Sequence, residues 1–152
     1  GAPSVFAEAQ PVMAAYAANM TLIGPAGSGQ LAKMVNQICI AGVLQGLAEG
    51  LHFAKRAELD VEKVIAAISK GAAQSWQMDN RWKTMNEGRF DFGFAVDWMR
   101  KDLGLVLEEA TQNGAKLDLT KLVDSYYADV QAMGGKRWDT SSLIARLERP
   151  KS

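Results

Sequence analysis

A long stretch without proline, from Ser28 to Ala57, constrains the fold of this chain more than any other feature of its sequence. Helix-forming residues dominate the stretch, and an α-helix of this length extends for about 45 Å. Its first half carries apolar residues on almost every side, which is typical of a helix surrounded by protein. The sequence therefore predicts a helical domain built around one long central helix.

Polar residues interrupt the apolar half of this stretch. They are Lys33, Asn36, Gln37 and Gln45. A membrane interior accommodates such side chains poorly, so we expect the core helix of a globular domain and no contact with a membrane. Cys39, which lies in the middle of the same half, is accordingly expected to be a small core residue.

The composition bounds the class of protein. The 152 residues are 48% hydrophobic and 22% charged, which is typical of one globular domain. Seventeen basic residues balance seventeen acidic ones, so nothing in the overall charge favours binding to nucleic acid. The sequence contains a single cysteine, Cys39. It has no partner for an internal disulfide, which favours a reducing, cytoplasmic setting.

Three glycines recur every four residues along the long helix, at Gly42, Gly46 and Gly50. This spacing places them on one side of the helix. Each glycine costs about 1 kcal/mol relative to alanine in a helix interior, and the close approach of another helix is the usual compensation. The long helix, which is apolar on almost every side, favours a homodimer, because the shorter segments offer too little cover.

The segments before and after the long helix are shorter. We predict a helix from residue 4 to 18, kinked or restarted at Pro11, and a short strand from Met20 to Gly24, whose residues are apolar and partly β-branched. The later segments read as helices with recognisable caps. The expected caps are Asp60, Asn113-Gly114, Thr120, and Ser141 or Ser142. Apart from the one strand, the sequence predicts an all-α fold.

A glycine-rich turn precedes the long helix, and two phosphate-binding motifs have to be weighed against it. A P-loop requires a lysine directly after its last glycine, but Gln30 follows Gly29. A dinucleotide-binding fingerprint requires a third glycine and a strand-helix-strand unit, and the residues after Gly29 lead into more helices. The spacing therefore argues against both motifs and favours a tight turn.

A second unusual feature is the polar stripe formed by Lys33, Asn36 and Gln37. Residues three and four apart share one side of a helix, so these three interrupt an otherwise apolar segment. Burying polar groups is costly unless they are paired or used. The alternative is a lysine whose stem packs while its ammonium group reaches water, and spacing alone favours that alternative.

A third feature is FAVDWMRKDLG, from Phe94 to Gly104. Asp97 and Lys101 are four residues apart, and Asp102 follows. The alternative to a functional role is an ordinary salt bridge on a helix surface, which contributes only a few tenths of a kcal/mol.

Two of these stretches resemble motifs of the β-hydroxyacid dehydrogenase family, which includes 3-hydroxyisobutyrate dehydrogenase and 6-phosphogluconate dehydrogenase. GPAGSGQLAKMVNQ, from Gly24 to Gln37, resembles the signature G-x-G-x-x-x-K-x-x-N-[NQ] of that family. The stretch that begins at Phe94 resembles its later helix with the core K-D-L. The separation between Lys33 and Lys101 also fits the smaller members, and the resemblance extends over almost the whole chain.

The resemblance implies a domain organisation. Members of the family begin with a Rossmann domain, and residues 1–25 resemble the last helix and short strand of such a domain. Residues 26–152 would then form the all-helical catalytic and dimerisation domain, with a long central helix surrounded by shorter helices, as in 6-phosphogluconate dehydrogenase. We expect the chain by itself to be inactive, since NAD or NADP would be bound mainly by the N-terminal domain.

The resemblance also implies roles for particular residues. Lys33 matches the catalytic lysine, which exchanges a proton with the oxygen of the substrate. Asn36, Gln37 and Gly29 would contribute to substrate binding, although many members have asparagine where Gln37 stands. The residues implied on the cofactor side are Lys101, Phe94 and Asp97.

The implied partner is a small β-hydroxyacid or its semialdehyde, with no nucleic acid, no metal and no membrane involved. The alternative function is a helical scaffold or dimerisation domain without chemistry of its own. That alternative predicts that Lys33, Asn36 and Gln37 point into a fully packed core.

Overall fold

The computed structural model describes residues 1–148, so the last four residues of the domain expected at 26–152 lie outside it. Within that range the chain forms seven α-helices and two short 3-10 helices and no β-strand, which confirms the all-α fold. The α-helices are α1 (Pro3–Met13), α2 (Ser28–Arg56), α3 (Val61–Ile68), α4 (Trp76–Asn86), α5 (Val96–Asn113), α6 (Asp118–Ala132) and α7 (Leu143–Glu148). The 3-10 helices are Gly135–Arg137 and Thr140–Ser142.

The chain divides into two compact units, residues 1–36 and residues 37–152. The domain boundary expected after residue 25 stays a prediction. The first unit contains α1, the connection that follows it and the first turns of α2. Pro11 lies inside α1, which buries none of its residues.

The short strand expected at Met20–Gly24 is wrong. Residues 20–24 have no regular secondary structure, and no described segment pairs with them as a neighbouring strand. A strand is stabilised by hydrogen bonds to a second strand and by burial against a sheet. Apolar, β-branched composition alone does not supply either of these.

The core of the second unit forms where α2, α5, α6 and α7 meet. Its largest side chains are almost completely buried, and they include Leu44, Met99, Leu103, Tyr127 and Leu143. α5 packs along α6, and α6 packs against α7. These contacts fix the position of α5, which carries several of the candidate site residues.

One side of α2 is buried and another side is exposed. The buried side includes Gln37, Ala41, Leu44, Ala48 and Leu51, which recur at intervals of three or four residues. The exposed side includes the following residues of the second unit: Cys39, Val43, Gly46, Gly50 and Phe53. We call this set the exposed α2 stripe. The expectation that Cys39 is a core residue is therefore wrong, because the helix turns its thiol away from the buried side.

α2 is long and apolar enough to cross a membrane, but the core helices of soluble proteins can have the same length and hydropathy. In the structure, 33% of its most apolar window is buried within the chain. Gln37 and Gln45 are buried on this helix, and their side-chain amide groups donate hydrogen bonds to Asp102 and Glu49.

Gly42, Gly46 and Gly50 of α2 line a cavity of about 460 Å³, which is lined further by residues of α3 and by the start of α4. A methyl group added at Gly42 would lie 3.5 Å from the Leu119 side chain, whereas none of the described atoms lies within 4 Å of one added at Gly46 or Gly50. The close helix contact expected along the stripe is therefore present only at Gly42. At Gly46 and Gly50 the helix faces open space.

The helix ends show which caps can be recognised locally. Asp60 accepts a hydrogen bond from the Lys63 backbone N–H at 3.2 Å, and this bond lowers the pKa of its carboxyl group. Gly114 adopts a left-handed conformation with φ of 80° at the end of α5. Both caps are confirmed. The Thr120 cap is wrong, because α6 begins at Asp118 and buries Thr120 in its first turn.

The caps expected at Ser141 or Ser142 are replaced by a different one. Both serines lie in the 3-10 helix that precedes α7, and both are fully buried. Asp139 caps this turn by accepting a hydrogen bond from the Ser141 backbone N–H at 3.0 Å.

Candidate active site

A buried hydrogen bond joins the two sequence motifs. The side-chain amide of Gln37 on α2 donates from Nε2 to Oδ2 of Asp102 on α5 at 2.8 Å. The two residues are 65 positions apart, and their exposed fractions are only 6% and 7%. A hydrogen bond to a charged acceptor in such an environment is stronger than one between neutral groups. The polar end of the first motif is therefore anchored to the K-D-L core of the second.

Gly29, Lys33 and Asn36 lie on the first turns of α2, in the first compact unit. Lys33 and Asn36 are exposed, so they do not point into a packed core as the scaffold alternative requires. Only Gln37 of the polar stripe is buried. None of the described atoms lies within 4 Å of the position that a side chain at Gly29 would take, which leaves the backbone of this turn accessible.

Lys101 and Phe94 are exposed on the second unit. The Phe94 ring is 41% exposed and lies just before the start of α5. Lys101 is on α5, directly beside the buried Asp102. The structure therefore offers an exposed cation shortly after the first turn of α5 and beside Asp102, and an exposed aromatic ring just before α5.

Asp97 has a different environment from the one expected for a salt bridge on the helix surface. Within residues 1–148 no ion pair joins it to Lys101. Its Oδ1 instead accepts a hydrogen bond from Nε2 of Gln131 on α6 at 2.6 Å. This contact ties the first turn of α5 to α6, which indicates a structural contribution from Asp97. Its predicted role on the cofactor side stays a prediction.

The same seam between α5 and α6 contains a charge pair. The guanidinium of Arg100 donates to both carboxylate oxygens of Asp124 at 3.1 Å and to Oε1 of Gln131 at 2.6 Å. The hydrogen bond to Asp124 raises the pKa of Arg100. Arg100 is thus a permanent cation that fixes the orientation of α5, and with it the positions of Lys101 and Asp102.

The sequence did not single out the residues that hold the loop before α5. Asp139 is buried, and its carboxylate contacts both the Phe94 backbone and Arg81 on α4. The only local signal was the pattern Asp139-Thr140-Ser141, in which an aspartate can accept a hydrogen bond from the N–H two residues later. The contacts to Phe94 and Arg81 are long-range and leave no such pattern.

The exposed side chains of Lys101 and Phe94 can bind two different chemical groups. No ion pair occupies the Lys101 ammonium group in the part of the chain that the structure describes, so it can bind a phosphate or a carboxylate. The exposed Phe94 ring offers an apolar face to a planar ring system.

Comparison with known proteins assigns the family. Residues 27–147 match the family model described as the NAD-binding domain of NADP-dependent 3-hydroxyisobutyrate dehydrogenase. The chain belongs to this family. The 3-hydroxyisobutyrate dehydrogenase family consists of NAD(P)-dependent oxidoreductases that act on small hydroxyacids, and the resemblance identified from the two motifs is confirmed.

Relatives within the 3-hydroxyisobutyrate dehydrogenase family cover nearly all of the chain. An uncharacterized oxidoreductase of Shewanella frigidimarina is 66% identical over 147 residues, which are 97% of this chain and 50% of that protein. The 2-hydroxy-3-oxopropionate reductase of Escherichia coli is 32% identical over 148 residues, 97% of this chain and 51% of that protein.

A solved structure shows the same fold. The 3-hydroxyisobutyrate dehydrogenase of Mycobacterium tuberculosis, described with L-serine, superimposes with a TM-score of 0.88 and 26% identity, covering 98% of this chain and 53% of that one. The chain thus spans about half the length of the curated relatives it matches. These comparisons establish the family, which is one of NAD(P)-dependent oxidoreductases, while the roles of the individual site residues stay predictions.

Proposed function

We propose that this chain is the substrate-binding and catalytic domain of an NAD(P)-dependent dehydrogenase that interconverts a small β-hydroxyacid and its semialdehyde. In this proposal it acts together with a Rossmann domain that binds most of the cofactor, and residues 1–25 belong to that domain. The family assignment supports the reaction class. The specific chemistry rests on the residues of the two motifs.

The observation that carries the proposal is the buried hydrogen bond between Gln37 and Asp102. It connects the motif that contains Lys33 with the motif that contains Lys101. The two motifs resemble the family's catalytic and cofactor-proximal segments, and the hydrogen bond joins one residue of each. A scaffold domain has no need for a buried charge-assisted bond between these particular positions.

Lys33 is the proton donor and acceptor in this proposal. When bound, the nicotinamide ring supplies the hydride in the reductive direction and accepts it in the oxidative direction. As hydride reaches the carbonyl carbon, the π electron pair moves to the carbonyl oxygen, which takes a proton from Nζ of Lys33. In the reverse direction Nζ removes the hydroxyl proton. General acid or base catalysis of this kind contributes about 10²- to 10⁴-fold to the rate.

The amides of Asn36 and Gln37 position the substrate next to Lys33. Asp102 orients the Gln37 side chain, because the accepted hydrogen bond fixes which end of the amide faces the carboxylate. Gly29 keeps the backbone of the preceding turn accessible. Lys101 and Phe94 contact the cofactor, and Lys101 also attracts the carboxylate group that β-hydroxyacids carry.

The test uses the full-length protein, with any sequence that adjoins this chain in its gene. We expect either oxidation of 3-hydroxyisobutyrate or L-serine with NAD+ or NADP+, or reduction of 2-hydroxy-3-oxopropionate with NADH or NADPH; the three compounds are taken from the names of the relatives. Lys33→Ala should lower kcat by at least about 10²-fold without weakening cofactor binding. Lys70→Ala, which removes an exposed lysine of another segment, is the matched control and should retain full activity.

The assay of the wild-type protein tests the reaction class, and the assay of Lys33→Ala tests the role of the lysine. Activity that survives in Lys33→Ala would contradict the proton-transfer role. Absence of cofactor binding and of turnover in the wild-type full-length protein would contradict the reaction class and favour the scaffold alternative.

A homodimer is a separate proposal, and the exposed α2 stripe supports it. Phe53 is 70% exposed and Val43 is 39% exposed, with the exposed Glu49 beside them on the same helix. Exposed apolar side chains with a polar residue at their edge are typical of an interface. A monomeric mass at micromolar concentration in analytical ultracentrifugation would contradict it.

The setting of the protein is also proposed. The single cysteine and the polar residues of α2 support a cytoplasmic protein that does not contact membranes. Co-sedimentation with anionic lipid vesicles would contradict this, and so would recovery of the protein from a membrane fraction.

A further inference from the structure

Asp139 lies outside both sequence motifs, yet its carboxylate organises the loop that leads into α5. It is 2% exposed. Its Oδ2 accepts a hydrogen bond from the Phe94 backbone N–H at 3.0 Å, and its Oδ1 accepts one from the Ser141 N–H at 3.0 Å. Oδ1 also lies 3.3 Å from Nε of Arg81. Three donors thus converge on one buried carboxylate.

Backbone hydrogen bonds extend this contact on both sides. The Asp139 N–H donates to the Phe90 carbonyl oxygen at 2.8 Å, and the Thr140 N–H donates to the Phe94 carbonyl oxygen at 2.9 Å. The Val96 N–H donates to the Trp138 carbonyl oxygen at 2.9 Å. Residues 90–96 are therefore held against residues 138–140 by backbone bonds, with the Asp139 side chain at the centre.

Gly93 shows how closely the loop follows the carboxylate. Its φ of +68° lies in the left-handed region, and a methyl group added there would lie 2.0 Å from Oδ2 of Asp139. Only glycine combines this conformation with this approach. The loop is thus shaped around the carboxylate group.

Arg81 supplies the opposite charge from α4. Its guanidinium lies 4.9 Å from the centre of the Trp76 ring and 5.1 Å from that of the Phe92 ring. The two rings restrict the guanidinium, so the ion pair with Asp139 is partly shielded from water. A buried carboxylate with a counter-charge and N–H donors is stable, while the same carboxylate without them is costly.

We infer that Asp139 is a positioning residue for cofactor binding: its carboxylate holds the Phe94 backbone and thereby sets where Phe94 and Lys101 meet the cofactor. This inference rests on the proposed function, in which those two residues lie on the cofactor side. Asp139 is too deeply buried to contact the cofactor itself and acts through the loop. Lys33 lies on α2, outside residues 90–96 and 138–140.

The arrangement predicts a split between kinetic constants. In the full-length protein, Asp139→Asn removes the charge that Arg81 and the Phe94 N–H require, so the loop relaxes. We expect KM for the cofactor to rise about tenfold, which corresponds to ~1.4 kcal/mol, with kcat at saturation changed by less than about threefold. Lys33→Ala should show the opposite pattern, a low kcat with an unchanged cofactor affinity.

A stability-matched control separates positioning from a general loss of stability. Ile65→Ala removes a buried side chain of α3, remote in sequence from residues 90–96, and should lower Tm while KM for the cofactor stays at the wild-type value. The inference is overturned if Asp139→Asn keeps the wild-type KM, or if Ile65→Ala raises KM to the same extent.

Arg81 provides a second route if Asp139→Asn does not fold. Arg81→Lys keeps a positive charge beside Asp139, and Arg81→Gln does not, so KM should rise less in the lysine variant than in the glutamine variant. A wild-type KM in Arg81→Gln would contradict the inference.

Amide hydrogen exchange distinguishes a failure of this inference from a failure of the proposed function. The Phe94 N–H should exchange about tenfold faster in Asp139→Asn than in the wild type, whether or not the protein turns over substrate. If exchange accelerates in Asp139→Asn but the wild-type protein shows no dehydrogenase activity, the role of Asp139 in holding the loop is supported and the proposed reaction class is contradicted. Unchanged exchange would overturn the positioning role itself.

Discussion

Gly93→Ala is the single substitution that tests the geometry of the loop before α5 most severely. The new Cβ atom would lie 2.0 Å from Oδ2 and 2.9 Å from Cγ of Asp139, and 3.4 Å from a terminal nitrogen of Arg81. Real Cβ atoms do not approach other atoms within 3.0 Å. The carboxylate must therefore move, and it cannot do so without releasing the Phe94 N–H.

The expected cost has two parts. An alanine at a φ of +68° loses about 1 kcal/mol or slightly more relative to glycine. Loss of the hydrogen bond between the Phe94 N–H and a charged acceptor costs about 1.5 to 3 kcal/mol. Together they remove roughly 2.5 to 4 kcal/mol of the free energy of unfolding, and for a domain of this size Tm falls by about 10 °C.

Thermal unfolding followed by circular dichroism measures this loss. Gly104→Ala is the matched control, since Gly104 lies inside α5 with none of the described atoms within 4 Å of its added Cβ. The control should leave Tm unchanged or raise it slightly, because alanine favours a helix over glycine by up to about 1 kcal/mol. If Gly93→Ala unfolds within about 2 °C of the wild type, the loop is not shaped by the Asp139 carboxylate.

Two further predictions concern the core and the exposed α2 stripe. Burial raises the pKa of Tyr127, and the charge of Asp139 raises it further. Above about pH 10 the folded state therefore keeps the phenolic proton, whereas the unfolded chain loses it. The free energy of unfolding then falls by ~1.4 kcal/mol per pH unit. Tyr127→Phe should flatten this loss in urea unfolding at alkaline pH, and an unchanged slope would contradict the assignment. Gly46→Ala should raise the free energy of unfolding by up to about 1 kcal/mol yet weaken self-association measured by ultracentrifugation; unimpaired association would argue against an interface at Gly46.

The long helix and several caps could be predicted because their signals are local. The absence of proline predicted α2 to within one residue at its C-terminal end, where the helix stops at Arg56. Asp60 caps the start of α3 and Gly114 caps the end of α5, each through contacts with residues a few positions away. Contacts between residues this close in the chain can be recognised from the local sequence.

The errors arose where distant residues decide the structure. Residues 20–24 have strand-like composition, but a strand also needs a partner. Thr120 has the chemistry of an N-cap, yet its side chain is buried in α6. Cys39 looked like a core residue because its neighbours are apolar, while the packing of α5 and α6 determines which side of α2 is covered.

The candidate site also contains residues that the sequence predicted and residues that it did not. Lys33, Gln37 and Lys101 were found because their spacing matches two family motifs. Asp139 and Arg81 were missed, although they contact the loop that carries Phe94, because three separate segments bring them together. Spacing within one segment cannot reveal a contact of that kind.

The central claim is that Lys33 transfers the proton in the reaction of a hydroxyacid dehydrogenase. The most direct measurement is the single-turnover rate of cofactor oxidation by the semialdehyde in full-length Lys33→Ala, at saturating cofactor and substrate, compared with Lys70→Ala. We predict a rate at least about 10² times lower in Lys33→Ala, with the control at the wild-type rate. Equal rates in the two variants would contradict the claim.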